Sequence, residues 1–259
     1  MTARLAEASA DGPGAAQRAD GAPGRFGPAD AGLLAARYAD APAEALVAAA
    51  FSDPAWGRVC VVSSFGAESA VLLDMVAQVD RAAPVLFVDT GRLFPETLAY
   101  ARALSAHLGL SDVRWIAPEA DELARLDPRA LRWSYDPDGC CDVRKVRPLA
   151  RALQGFNCWI SGRKRYQAET RANLPKVEAD GVRLKLNPLA DWPAAAIAAR
   201  AAERKLPPHP LVAEGYPSIG CMPCTTRVAP GEDPRAGRWR GWDKTECGIH
   251  APPGSEPAF

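Results

Sequence analysis

Arg58-Val-Cys-Val-Val-Ser-Ser-Phe65 runs directly into Gly66-Ala-Glu-Ser69. A short, unbroken, β-branched apolar run of this kind predicts a strand buried on both faces, the type that builds parallel sheets. It closes on small and polar residues and opens into residues 67–79, whose apolar positions recur at helical spacing. Pro84-Val-Leu-Phe-Val-Asp89 repeats the pattern, with a turn at Thr90-Gly91 and a helix predicted over 96–108, Pro95 being suited to its first turn. Residues 112–116 read as a third strand. Strand, helix, strand, helix, strand is the order of βαβ units, so the fold class expected is α/β, a parallel sheet flanked by helices.

Further along, a helix is expected over 142–153, a buried strand over 158–161, a strand over 182–189 and an alanine-rich helix over 193–205. From Leu206 onward proline and glycine become frequent and periodicity fades, which predicts an irregular segment folded over the active edge of the sheet. Residues 1–40 are rich in Ala, Gly, Pro, Asp and Arg with few large apolar side chains, and are expected to be a disordered tail. The expected division is therefore a tail over 1–40, an α/β domain over 41–206 and a C-terminal segment over 207–259.

The 259 residues hold 31 Lys and Arg against 31 Asp and Glu. Zero net charge argues against a general nucleic-acid binder, although cations can still gather at one site. No apolar run approaches the ~20 residues of a membrane span, and no apolar leader is evident at the N-terminus. Seven cysteines without an export signal suit a reducing cytoplasm, where thiols serve metals or catalysis.

The cysteines carry the sharpest chemistry. Cys140 and Cys141 are adjacent, Cys221 and Cys224 form a C-x-x-C pair, and Cys247 stands apart in Glu246-Cys-Gly-Ile-His250. Two close pairs of thiolates suit zinc or an iron–sulfur cube. Adjacent thiols fit a zinc knuckle less well than a cube, which offers neighbouring thiolates separate irons. Lys145, four residues after Cys141, would partly balance such a cluster's negative charge. Cys247 reads as a nucleophile, its thiol favoured towards ionisation by arginines or a protonated His250 and disfavoured by Glu246. Cys60 and Cys158 lie inside apolar strands and read as core residues.

Cations mark the expected turns. Ser161-Gly-Arg-Lys-Arg-Tyr166 follows a buried strand, Arg171 comes soon after, Arg144, Lys145 and Arg147 follow the adjacent cysteines, and Arg235, Arg238 and Arg240 precede Cys247. Guanidinium forks suit phosphate and sulfate oxygens. The turn at Ser63, Ser64 and Gly66 lets backbone N–H groups approach an anion, although it is not a Walker A loop. Asp89, Thr90 and Gly91 end the second strand and either line the same crevice or simply satisfy local backbone donors.

Five segments together resemble the assimilatory sulfonucleotide reductases. They are Ser63-Ser-Phe-Gly-Ala-Glu-Ser69, Asp89-Thr-Gly-Arg-Leu-Phe-Pro-Glu-Thr97, Cys140-Cys-Asp-Val-Arg-Lys145, Gly220-Cys-Met-Pro-Cys224 and Glu246-Cys-Gly-Ile-His250. The paired cysteines look like the iron–sulfur branch, adenylyl-sulfate (APS) reductase, as opposed to the cluster-free 3′-phosphoadenylyl-sulfate (PAPS) reductases. The likeness runs from about residue 45 to 250.

The resemblance implies an adenine nucleotide α-hydrolase-like fold of the ATP-pyrophosphatase type. It also implies a 4Fe–4S cluster on Cys140, Cys141, Cys221 and Cys224, and nucleophilic attack by Cys247 with Lys145 and His250 assisting. The substrate-binding residues implied are Ser63, Ser64, Gly66, Asp89, Thr90, Gly91, Arg144, Gly162, Arg163, Arg171, Arg235 and Arg238. Phe65 departs from related loops, which often carry a small hydroxyl residue there. The activity implied is reduction of APS to sulfite and AMP through an S-sulfocysteine on the enzyme. Reduced thioredoxin or a glutaredoxin-like protein would be the reductant, in the cytoplasm, with no nucleic acid or membrane involved and a homo-oligomer compatible with the chain. PAPS or dual use is the alternative reading, and a non-catalytic iron–sulfur nucleotide-binding redox sensor is a more remote one.

Overall fold

A computed structural model describes residues 26–250. Six strands, β1 (Val59–Val62), β2 (Val85–Val88), β3 (Val113–Ile116), β4 (Cys158–Ser161), β5 (Val177–Asp180) and β6 (Arg183–Leu186), form one sheet in the order β3-β2-β1-β4-β6-β5. All neighbouring pairs are parallel except β5 with β6. The sheet is thus mostly parallel, with one antiparallel edge strand that the sequence reading did not anticipate. Val177-Glu-Ala-Asp180 is too short and polar to announce itself, and pairing with β6 through a two-residue turn makes it a strand.

Nine helices are described: α1 (Pro28–Arg37), α2 (Ala43–Ser52), α3 (Ser69–Val79), α4 (Pro95–Leu108), α5 (Ala120–Leu126), α6 (Pro137–Cys141), α7 (Arg147–Ala152), α8 (Ala194–Glu203) and α9 (Pro210–Ala213). Strand alternation sends Val59, Val61, Val85, Phe87, Cys158, Ile160, Leu184 and Leu186 to one face, where α1–α4 and α8 complete the main core. Cys60, Leu86 and Trp159 face the other way, against Leu149, Leu153 and Phe156. Cys60 and Cys158 are fully buried on opposite faces, and burial pushes both thiols up, as core cysteines require. Leu73 and Leu104 are also fully buried, so truncating either to alanine costs about 2–5 kcal/mol.

The tail expected over 1–40 lies outside the described residues only as far as residue 25. From Phe26 the chain packs on the fold: Phe26 N donates to the Val182 carbonyl at 3.0 Å, and Ala31 and Leu34 of α1 are buried. Pro28 opens α1, and the Asp30 carboxylate accepts from Gly27 N at 2.8 Å. Only two buried positions anchor this helix, which is why its composition resembles a disordered tail. The helix expected over 142–153 is found as α6, a wide π turn over Asp142–Val146, and α7. No described helix is long and apolar enough to cross a membrane.

Beyond α8 the chain is held by specific ties. His209 is 1% exposed, and its Nδ1 accepts from Leu211 N at 3.2 Å. The proton therefore sits on Nε2, 3.1 Å from the Thr97 hydroxyl of α4. Burial holds this imidazole down at about 4, against 6.5 for a free histidine. The folded protein thus binds a proton less readily than the unfolded chain. The resulting stability is complete above pH 6.5 and is lost as pH falls towards 4. Thermal melts across that range are expected to show a fall of up to about 3 kcal/mol that His209→Gln removes.

Candidate active site

The chain travels from β1 outward to β2 and β3, then returns past β1 to lay down β4. At such a reversal the loops leaving the two central strands diverge and leave a crevice beyond their carboxyl ends. A cavity of about 280 Å³ lies there, lined by Ser63, Ser64, Gly66 and Glu68 after β1 and by Ser161, Gly162, Arg163 and Lys164 at β4. Arg171, Arg235, Arg238, Lys145, Cys247 and His250 complete the wall.

The β1 loop owes its path to Phe65. Its φ of 48° is left-handed, unusual for a residue with a bulky side chain. The ring is fully buried, edge-on to Phe87 with centroids 5.0 Å apart, and Phe65 N donates to the Ser63 hydroxyl at 3.1 Å. Core burial thus holds the strained turn that leaves Ser64 exposed.

Most cavity cations are already paired. Arg163 meets Glu178 and also donates to Asn187 Oδ1 at 3.3 Å. Lys164, 2% exposed, donates to Glu68 at 2.8 Å, and Gln167 and the Tyr166 hydroxyl donate to the same carboxylate. Burial pulls Lys164 below the usual lysine range. Burial would raise Glu68, but Lys164 and the two further donors outweigh it and hold the carboxyl low. Arg171 grips Glu246 with two bonds of 2.6 and 2.8 Å.

Arg238 is less committed. Its Nε is sealed from solvent without a partner, and its guanidinium lies 4.4 Å from the Trp239 ring centroid. Burial lowers Arg235 and Arg163 from the usual arginine range, against the pull of Glu246 and Glu178 and with neighbouring arginines adding to it.

The four other thiols line a second, smaller cavity of about 10 Å³ with Arg92, Trp133, Arg144, Lys145 and Pro223. None is in a disulfide. Among the described residues no three metal-binding side chains converge on one ion-sized point. Lys145 lines both cavities, projecting from the π turn, a feature common at functional sites. Burial would lower its ammonium, but Cys221, Cys141 and Cys247 outweigh that and hold it above the ordinary lysine range.

Four residues expected at the substrate lie elsewhere. Arg144 is buried in an ion pair with Asp127 at 2.7 Å and donates to the Thr90 carbonyl at 2.9 Å, on the thiol side. Thr90 is 1% exposed, with its hydroxyl 3.3 Å from Cys221 Sγ. Asp89 accepts from Gly91 N at 2.9 Å, the local turn role. The cause is the bridge between Leu93 and Cys221, which draws the loop after β2 towards the cysteines.

His250 also differs from expectation. Burial and then Arg163, Lys185, Arg171 and Arg235 hold its imidazole well below the ordinary range, which favours the neutral form over the cationic activator expected for Cys247. Its ring is stacked on Trp159, 5.4 Å between centroids and 6° from parallel. Glu68, Lys164, Tyr166, Gln167 and Trp159 were not singled out from sequence. Lys164 sat in a quoted basic run, but a partner 96 positions away leaves no local signal.

The fold and site define an α/β protein with a mostly parallel sheet and a cation-lined cavity beside a group of cysteines. Residues 58–227 match the phosphoadenosine phosphosulfate reductase domain. The chain is 51% identical over 222 residues to an adenosine 5′-phosphosulfate reductase of Chelativorans sp. (strain BNC1), covering 85% of this chain and 90% of that one. It is 54% identical over 193 residues to one of Mesorhizobium japonicum, covering 74% and 76%. In fold it is similar to a phosphoadenylyl-sulfate reductase of Candida auris, with a TM-score of 0.65 at 24% identity over 78% of this chain and 98% of that one. The chain belongs to the phosphoadenosine phosphosulfate reductase family.

Gly220 sets the place of Arg238: a Cβ there would stand 2.3 Å from Nη2. Gly220→Ala is expected to shift the guanidinium and weaken AMP binding roughly tenfold, with melting little changed. Calorimetric titration and a thermal melt check both.

Proposed function

We propose that this chain reduces adenylyl sulfate to sulfite and AMP, with Cys247 as nucleophile. The observation that carries the reading is one cavity holding Cys247, Lys145, Arg235 and Arg238 at the switch point of the sheet. Membership of the family and relatives named as adenosine 5′-phosphosulfate reductases support it. The Cys247 thiolate attacks the sulfuryl sulfur; the sulfur–oxygen bond to AMP breaks, and AMP leaves with the electron pair. Lys145, Arg235 and Arg238 stabilise charge growing on the bridging and sulfuryl oxygens. A dithiol reductant such as thioredoxin then attacks Cys247 Sγ, releases sulfite and regenerates the thiol as its own disulfide forms.

Use of adenylyl sulfate over its 3′-phosphorylated form fits the charge pairing. Arg163 and Lys164 each have a carboxylate partner, leaving little free cation for another phosphate.

Cys140, Cys141, Cys221 and Cys224 would hold a 4Fe–4S cluster. Four soft thiols around one cavity suit a group that offers each thiolate its own iron. Bound there, it would supply a fixed negative charge. Lys145, whose ammonium the neighbouring Cys221 and Cys141 favour, lines both this cavity and the substrate cavity. Seven free cysteines suit a cytoplasmic setting.

Protein mixed with adenylyl sulfate and no reductant is expected to gain the mass of one sulfite on Cys247, and Cys247→Ser to lose roughly a thousandfold or more of turnover. An unmodified Cys247, or a fully active serine variant, overturns the mechanism. Cys140→Ala is expected to lose iron and visible absorption in anaerobically purified protein, whatever its activity.

A further inference from the structure

We propose that Glu246 is an internal stand-in for the substrate's anionic group: it occupies the arginine fork of the cavity, and the incoming anion displaces it while Cys247 stays tethered on its other side. This rests on the reading of the cavity as the phosphosulfate site. Glu246 accepts from Arg171 Nε and Nη2 at 2.6 and 2.8 Å, and its Oε2 faces Arg235 Nη2 at 3.7 Å. The free edges of both arginines are taken as well: Arg171 Nη1 donates to Gln167 at 2.6 Å and Arg235 Nη2 to the Thr245 carbonyl at 2.8 Å. The Arg171 side chain is 11% exposed and that of Glu246 26%, so the pair is largely sheltered from screening.

A guanidinium fork grips a carboxylate in the geometry it uses for a phosphate or sulfate oxyanion. A second anion on the same fork must either displace the first or meet its repulsion at close range. The segment bearing Cys247 is therefore held by a contact that competes with the ligand.

Its other contact does not compete. Ile249 packs against the core on the α7 face, and His250 stacks on Trp159. Neither needs Arg171 or Arg235. Between the two holds lies Gly248, with φ at +84°, a backbone conformation open chiefly to glycine. Cys247 thus sits between an exchangeable ionic tether and a fixed apolar one. An anion that takes the fork releases Glu246, and the thiol turns about Gly248 without leaving the cavity. While Glu246 holds the fork its arginines stay ordered, and apparent affinity is reduced to the fraction of time the fork is free.

Iodoacetamide labelling of Cys247, read by peptide mass mapping on the cluster-loaded protein, tests this with AMP and inorganic sulfate as probes. Saturable acceleration by either ligand is expected in the wild type. Glu246→Gln is expected to label fast without ligand and to bind AMP about three- to tenfold more tightly. Arg171→Gln is expected to label fast as well but to bind AMP more weakly, an opposite sign that a general loosening of the fold would not produce. Equal protection of Cys247 by ligand in all three proteins, or AMP binding by Glu246→Gln no tighter than wild type, overturns the proposal. These readouts involve no turnover, so a failure to reduce adenylyl sulfate would sink the assigned reaction and leave the tether standing.

Discussion

Parallel pairing of β1 with β4, from Val59 opposite Cys158 to Val62 opposite Ser161, places every group in the cavity. It makes Ser63 and Gly162 leave the sheet side by side while the chain beyond them goes opposite ways. The hydrogen-bonded ladder is rigid and buried on both faces, so the crevice above it is a fixed gap. The main core on one side and the Trp159 cluster on the other hold that ladder flat against deformation. Loops of little intrinsic order, including the segment with Cys247, can then be positioned by a few contacts each.

Charge pairing is the second constraint. Gathering this many cations in a partly dry cavity is costly unless carboxylates accompany them. Glu178, Glu68 and Glu246 serve Arg163, Lys164 and Arg171 from 15, 96 and 75 positions away in the chain. Lys145, Arg235 and Arg238 lack so complete a partner and lie together beside Cys247. The cavity is therefore graded, neutralised at the Glu68 end and electropositive at the thiol.

Much of this was legible in the chain. The run 58–65 announced a buried strand because burial on both faces removes polar alternation, and the cysteine spacing separated four clustered thiols from Cys247 and from two core cysteines. What stayed hidden depends on packing partners that the local pattern does not name. Strand β5 exists because β6 lies beside it, and α1 packs on the sheet with only two buried residues. Arg144 looked like a substrate ligand until Asp127, remote in the local pattern, was seen to bury it. His250 looked like a cation donor, and only its seat on Trp159 among four cations shows an imidazole that stays neutral. The turn at Phe65 has its reason in the core, where Phe87 receives the ring.

The wide turn over Asp142–Val146 has a consequence for how this part of the molecule tolerates change. A regular helix advances about 100° per residue, so a one-residue deletion between Cys141 and Lys145 would swing the ammonium round the axis by that amount. The π turn carries the extra residue that lets two consecutive thiols and a lysine four positions on look towards neighbouring cavities. Spacing here acts as a ruler: substitutions within the turn can be absorbed, whereas a change of length separates the two cavities that Lys145 joins.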